Sequence, residues 1–290
     1  MQVKRWLMTR VLLNRFYRKT PEPLIRCLPK EDAEGILAQN IISDNIALVM
    51  AQPEELIQKI HYSWLAPIIQ SFPQFLQVSM LGAMPKTLSD KLQKMLNLNI
   101  NYVLNTSLAA PVQTFLINKL YSHVKDTAVL PLSFLPTTPL TRLGELNKNQ
   151  LVTLIDLLGI YDLADEVRQI IDKDRLKKIY GCLGIKQRQF LRVCLHQKEV
   201  VASSPLGLGQ WDGECSQLEK LLHTRGMMRL GKALCIEHPD FLWHLTHTLD
   251  TGRGTRLMSY YAPNTVSKIT PALVQQVINL LNFLSPKSKS

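Results

Sequence analysis

Asp240, His244 and His247 stand at i, i+4 and i+7, so one helix face would present a carboxylate and two imidazoles together, with His238 close by. That donor set suits a divalent metal such as zinc, and a zinc-bound water would make the chain a hydrolase. Zinc takes three or four converging ligands, usually from more than one element. The same spacing also serves a helix packed through Leu242, Trp243 and Leu245. The expectation is a structural helix with no metal and no cofactor; a metal-dependent hydrolase built on these three residues is the enzyme alternative.

Two glycine-bearing stretches invite a ligand reading, a nucleotide cofactor for the first and an anion for the second. Gly207-Leu-Gly-Gln-Trp-Asp-Gly213 lacks the GxGxxG spacing and follows no strand, so it reads as a loop. Thr251-Gly-Arg-Gly254 would expose backbone N–H groups before a helix. Its expected role is to end one helix and open the next. No GxSxG or other nucleophile signature is present, and the chain is expected not to be an enzyme.

The aromatic cluster His61-Tyr-Ser-Trp64 precedes a strongly apolar stretch. Exposed, it would be a partner-binding patch; buried, Trp64 would be a core staple. His61, Tyr62 and Trp64 are one expected partner contact, and Arg253 and Arg256 another.

The elements that must position these residues are helices. Pro53, Pro73 and Pro85 each precede polar, helix-forming residues, and proline suits a helix's first turn, where no N–H donor is needed. Between the prolines, Leu65, Ile68, Ile69 and Phe72 recur at helical spacing. A helix is expected to open near Leu28, with Glu31 and Asp32 in its first turn. Another is expected from Pro111 to Lys125, whereas the asparagine-rich stretch from Asn97 is ambiguous. Later stripes are Leu151, Leu154, Ile155 and Leu158; Leu163, Val167, Ile170 and Ile171; Leu218, Leu221 and Leu222; and Leu242, Leu245 and Leu249. A last helix is expected from Thr270 to Leu284.

The fold class is therefore all-α: short stacked helices in two domains, an armadillo-like array. The expected divisions are a basic amphipathic helix at 1–20, a helical domain at 21–128, a proline-rich connector at 129–146, a second helical domain at 147–285 and a tail at 286–290. Pro131, Pro136 and Pro139 exclude a helix and suggest an extended connector, and its apolar residues suggest that it lies against the protein.

The formal net charge is +11, with basic residues spread along 290 positions rather than clustered. Acidic protein or membrane partners are expected, and no nucleic acid. Residues 1–19 mix Arg5, Arg10 and Arg15 with Leu7, Val11 and Leu12. They read either as a helix on an anionic membrane surface or as a helix packed on the body. Arg10 interrupts a signal-peptide core. No apolar run reaches the length of a membrane span. The five cysteines form no CxxC pair and suggest buried thiols in a reducing cytosol.

Ile60-His-Tyr-Ser-Trp-Leu-Ala-Pro-Ile-Ile-Gln-Ser-Phe-Pro73, followed by Met80-Leu-Gly-Ala-Met-Pro85, resembles the middle domain of the flagellar motor switch protein FliG family. His61 falls where the family's Glu-His-Pro-Gln element has its histidine; Ile60, Tyr62 and Ser63 replace the other three, which implies an altered ring contact. Leu230-Gly-Lys-Ala-Leu, Pro239-Asp-Phe-Leu-Trp-His-Leu and Val274-Gln-Gln-Val-Ile resemble the family's C-terminal armadillo-like part. The family's torque helix alternates acids and bases, but Gly252–Tyr261 carries Arg253 and Arg256 with no acid. A stator-facing role is not implied. The stretch from Leu222-His-Thr-Arg-Gly to His238-Pro-Asp-Phe-Leu-Trp-His also resembles a chlamydial type III secretion component. The resemblance implies a cytoplasmic scaffold, peripheral to the inner membrane and part of a larger assembly, linking an inner-membrane ring protein to cytoplasmic ring or sorting-platform subunits. The alternative is a generic helical-repeat adaptor or chaperone.

Overall fold

The computed structural model describes residues 2–17, 21–40, 52–98, 108–124, 129–196, 205–262 and 267–284. The expectations for the asparagine-rich stretch beyond Leu98 and for the 286–290 tail lie outside them. Among the described residues the fold is all-helical, with no strand element.

The chain forms two compact units. The first comprises Met1–Thr138 and His238–Gly254; the second comprises Pro139–Glu237 and Thr255–Ser290. The expected domains were contiguous stretches, whereas each observed unit uses two.

In the first unit, α1 (Gln2–Phe16), α2 (Glu22–Arg26) and α3 (Lys30–Leu37) precede a run of short helices: α4 (Gln52–Lys59), α5 (Tyr62–Gln70), α6 (Gln74–Ala83) and α7 (Lys86–Leu96). Proline punctuates this run. Pro53 lies in the first turn of α4, while Pro73 and Pro85 immediately precede α6 and α7. Asn97 ends α7 in the left-handed conformation at φ 52°, which asparagine tolerates better than most residues. The long helix α8 (Ala110–Val124) runs beside α6. Gln113 Nε2 donates to the Ala83 carbonyl at 2.9 Å, and the Phe72 and His123 rings meet at 5.1 Å. Ile57, Leu65, Ile69, Met80, Leu92 and Leu120 form the centre of a continuous core.

The proline-rich stretch is more structured than an extended connector. It contains two 3₁₀ turns, Leu132–Phe134 and Thr141–Glu145, and Phe134, Leu135, Leu140 and Leu143 are buried. Proline prevents a continuous α-helix, but tight i→i+3 turns tolerate it.

The second unit is built on α9 (Lys148–Val167) and α12 (Cys215–Ala233), with α10 (Lys173–Cys182), α11 (Ile185–His196) and α15 (Thr270–Leu284) around them. Leu151, Leu154, Ile155 and Leu158 are buried as their spacing predicts. The next expected stripe is cut short, because α9 ends at Val167 and Ile171 is 94% exposed. Asp172 caps the following helix, accepting from Asp174 N–H, so Ile170 and Ile171 lie in the turn between two helices. A 3₁₀ turn (Leu208–Gln210) starts from Gly207 at φ 79°, and another (Leu234–Ile236) follows α12.

The cysteine expectation is corrected. Cys182 and Cys215 form a disulfide between the last residue of α10 and the first of α12; Cys194 and Cys235 are buried thiols and Cys27 is an exposed one. The pair is separated by 33 residues in sequence, so no local motif announces it, but folding brings the Cα atoms to 5.0 Å.

Candidate functional site

The residues singled out by chemistry come together in the first unit at α13 (Pro239–Thr248) and the start of α14 (Thr251–Tyr260). His238 opens α13, its Nδ1 accepting from Asp240 N–H at 3.1 Å. Asp240 and His244, one turn apart, both reach the same peptide unit of the proline-rich stretch. Asp240 Oδ2 accepts from Leu130 N–H and His244 Nε2–H donates to the Leu130 carbonyl, each at 2.8 Å. Both side chains are buried, so these bonds satisfy a backbone donor and acceptor in a site poor in water.

His247 points to a second segment. Its Nδ1–H donates to the Trp243 carbonyl at 2.8 Å, and its ring stacks between Trp243 at 4.0 Å and Trp64 at 4.4 Å. The 61–64 cluster meets the end of α13 from the other side. His61 N–H donates to the His247 carbonyl at 2.7 Å, and Trp64 Nε1–H donates to the Leu249 carbonyl at 2.9 Å. Ser63 Oγ accepts from Thr251 N–H at 3.0 Å. His61 also caps α5, with Nδ1 accepting from Ser63 N–H. The Tyr62 ring lies tilted against His61, with centroids 4.1 Å apart, and Lys91 Nζ stands 6.0 Å from the Tyr62 ring centre.

Burial lowers the His244 pKa to about 4, opposed by the hydrogen bond to Leu130 and by nearby Asp240. Burial also lowers that of His247, opposed by its bond to the Trp243 carbonyl. At neutral pH both are neutral rings acting as hydrogen-bond donors and stacking surfaces. Asp240 Oδ2 and His244 Nε2 both serve the Leu130 peptide, so this carboxylate and this imidazole already have a structural role. Among the described residues, no three His, Cys, Asp or Glu side chains are grouped as a metal site.

Both glycine-bearing stretches are engaged from within the chain. Asp250 caps α14, accepting from Arg253 N–H at 3.1 Å, and pairs with the Arg253 guanidinium at 2.5 Å. Gly252 and Gly254 lie inside α14 rather than before it. A side chain at Gly254 would meet the Thr246 carbonyl at 2.6 Å and the Trp64 ring at 2.7 Å, which explains the residue type. In the second unit the Glu166 carboxylate accepts from Gly207 and Leu208 N–H at 3.1 and 3.2 Å.

Of the expected partner residues, Arg256 is exposed, while His61, Tyr62, Trp64 and Arg253 are half-buried. The hydrogen-bonding roles of Ser63, Leu130, Leu249 and Asp250 went unread in sequence. Asp250, directly before Thr251, carried a usable N-cap signal; the others act through partners more than 100 positions away.

The second unit holds a different polar group. Arg229 donates through Nε and Nη2 to Asp162 at 3.1 and 2.5 Å, and through Nη1 to Gln276 Oε1 at 2.6 Å, all three buried. The guanidinium lies 5.8 Å from the Tyr161 ring. Burial pushes the Cys194 thiol up to about 12, making it a poor nucleophile. No protein-family model, curated protein or solved structure matches the chain.

Proposed function

We propose that this chain is a non-enzymatic helical scaffold, a structural component of a type III secretion or flagellar-type apparatus that joins an inner-membrane ring to cytoplasmic ring or sorting-platform subunits. Its helices act as stacked, armadillo-like layers in two domains. The observation that carries the scaffold reading is where the polar side chains go. His61, Ser63, Trp64, Asp240, His244 and Asp250 are spent on helix ends and backbone groups, while Phe75, Phe115 and Ile185 remain exposed at 68%, 64% and 76%. Rigid helices with large apolar side chains left in water are suited to protein contacts. The assignment to such an apparatus rests on the FliG-like motifs around His61 and Leu230 and, for type III secretion, on the resemblance of the stretch from Leu222 to His244.

Crosslinked affinity purification from the native cell, read by mass spectrometry, tests the assignment. Recovery of membrane-ring or platform subunits supports it. Reproducible recovery of only unrelated proteins, with apparatus subunits detected in the input, overturns it in favour of a general adaptor. The cytoplasmic placement has its own test, because a reducing compartment keeps Cys182 and Cys215 as thiols. Alkylation in intact cells that labels both supports the placement; persistence of the disulfide, the form the structure holds, overturns it.

No helix among the described residues is long and apolar enough to cross a membrane. The peripheral location therefore calls for a surface contact.

A further inference from the structure

The helix α1 has an anchored face and an open one. On the anchored side Trp6 Nε1–H donates to Asp32 Oδ1 of α3 at 2.7 Å, and Leu7 and Val11 are fully buried. Gly35 of α3 accommodates the indole, since a Cβ there would come within 2.5 Å of it. On the open side stand Met8, Leu12 and Phe16, spaced one turn apart and followed by Tyr17; Phe16 is 66% exposed and Leu12 44%. Arg5 and Arg15 are exposed too. Arg5 lies seven residues before Leu12, and Arg15 seven after Met8, so both arginines share the apolar stripe, one near each end. Residues 2–17 contain no aspartate or glutamate.

We infer that this open face of α1 is a docking surface for an anionic phospholipid bilayer. Met8, Leu12, Phe16 and Tyr17 enter the headgroup–acyl boundary, and Arg5 and Arg15 contact lipid phosphates. The inference deepens the proposed function and rests on its peripheral placement. Charge complementarity selects the occupant. A protein groove would need apolar lining interrupted by acids opposite each arginine, whereas a bilayer interface supplies an apolar layer beneath a continuous anionic one. The anchored face fixes the helix against α3, so its outer stripe is presented already folded, without the ordering cost of a free amphipathic peptide.

The test is co-sedimentation of the purified full chain with phosphatidylcholine vesicles, with and without phosphatidylglycerol. Wild type should partition onto the phosphatidylglycerol vesicles and be released by salt. Arg5→Gln with Arg15→Gln should lower the partition about 30-fold, at roughly fivefold per arginine. Leu12→Ser with Phe16→Ser should lower it by about tenfold or more. Failure of wild type to bind overturns the inference. So does equal binding by the serine variant, because a chain with net charge +11 would then be adhering through its general charge. Circular dichroism confirms that the variants fold, and the arginine variant decides if the serine variant does not. The assay contains no partner proteins, so its failure leaves the partner-capture result standing.

Discussion

The two units solve the same problem, satisfying the backbone of an all-helical chain, in different ways. In the first unit α4 to α7 span 8, 9, 10 and 11 residues, so unpaired terminal N–H and C=O groups are a large share of the backbone. Within this run His61 caps α5, while α6 and α7 open after prolines without a side-chain cap; elsewhere in the unit His238 and Asp250 cap α13 and α14, and Asp240 and His244 hold the Leu130 peptide. In the second unit α9 and α12 span 20 and 19 residues and satisfy most of their own backbone. Their buried polar chemistry lies between side chains, at Asp162, Arg229 and Gln276, and their packing depends on close approach. The first unit's buried polar contacts around α13 run from side chain to backbone, whereas the group buried between α9 and α12 joins side chain to side chain, although α9 also opens on an Asn147–Gln150 capping box.

The sharpest way to break the comparison is to remove one member of the second unit's ion pair. Arg229→Met leaves the Asp162 carboxylate buried without its bidentate partner and should cost about 3–5 kcal/mol. Replacing both, as Asp162→Leu with Arg229→Met, should cost less than the single change, since no unpaired charge remains. Urea denaturation of the four chains closes the double-mutant cycle. A double variant less stable than Arg229→Met would mean that the pair contributes through its own attraction.

Next in size is the approach of α9 to α12. A Cβ on Gly226 would lie 1.7 Å from the Ile155 carbonyl oxygen, and one on Gly159 would lie 2.1 Å from that of Leu222. The two contacts are reciprocal, glycine to carbonyl in each direction, and the helices must separate to admit a methyl group. Gly226→Ala should therefore destabilise by about 3 kcal/mol. Gly181→Ala in α10 is the matched control, as nothing lies within 4 Å of the added carbon. It should stabilise by about 0.5–1 kcal/mol through helix propensity. Thermal melts distinguish the two; equal effects would show that the crossing is not tightly packed.

The first unit should carry the histidine-dependent loss of stability in acid, while in the second burial raises the pKa of Asp165, which acts in the opposite sense. An unfolded His244 titrates near its ordinary 6.5, whereas burial holds the folded group to about 4. Protons bind the unfolded chain first, so the stabilising neutral state is intact above 6.5 and its advantage falls as pH drops towards 4. At about 1.4 kcal/mol for each pH unit between the two titration points, the loss approaches about 3 kcal/mol. Burial moves His247 in the same direction. Urea midpoints measured from pH 7 to pH 4 should slope downwards, and His244→Gln should flatten the slope. An unchanged slope in the variant would assign the acid sensitivity elsewhere.

What sequence made legible was local. Proline positions marked the starts of α4, α6 and α7, the Thr270–Leu284 helix coincides with its expected bounds, and the first α9 stripe is buried. Less legible were features set by distant packing. Asp240 and His244 share a helix face as their spacing requires, but their target, Leu130, lies 110 and 114 residues away. Nothing local distinguishes a histidine awaiting a metal from one awaiting a carbonyl. The same holds for Cys182 and Cys215, and for Gly159 and Gly226, which look like ordinary helix-weakening glycines until the facing helix is in place. Ile171 shows the opposite error: helical spacing continued past the point where Asp172 began a new helix.

The smallest predicted loss of stability isolates one fixing from the packing around it. Trp64 contributes a ring stacked on His247 and an N–H donated to the Leu249 carbonyl. Trp64→Phe keeps an aromatic surface and removes the donor, leaving the carbonyl of a fully buried residue without that bond. An unmade buried hydrogen bond costs about 1–3 kcal/mol, and retained stacking places this change towards the lower end, near 1–2 kcal/mol. Trp64→Leu loses the stacking as well and should cost more. If the phenylalanine and leucine variants are equally destabilised, the hydrogen bond dominates and the aromatic contact is incidental. If phenylalanine matches wild type, the end of α13 is held by packing, and the contrast with the second unit fails at this residue.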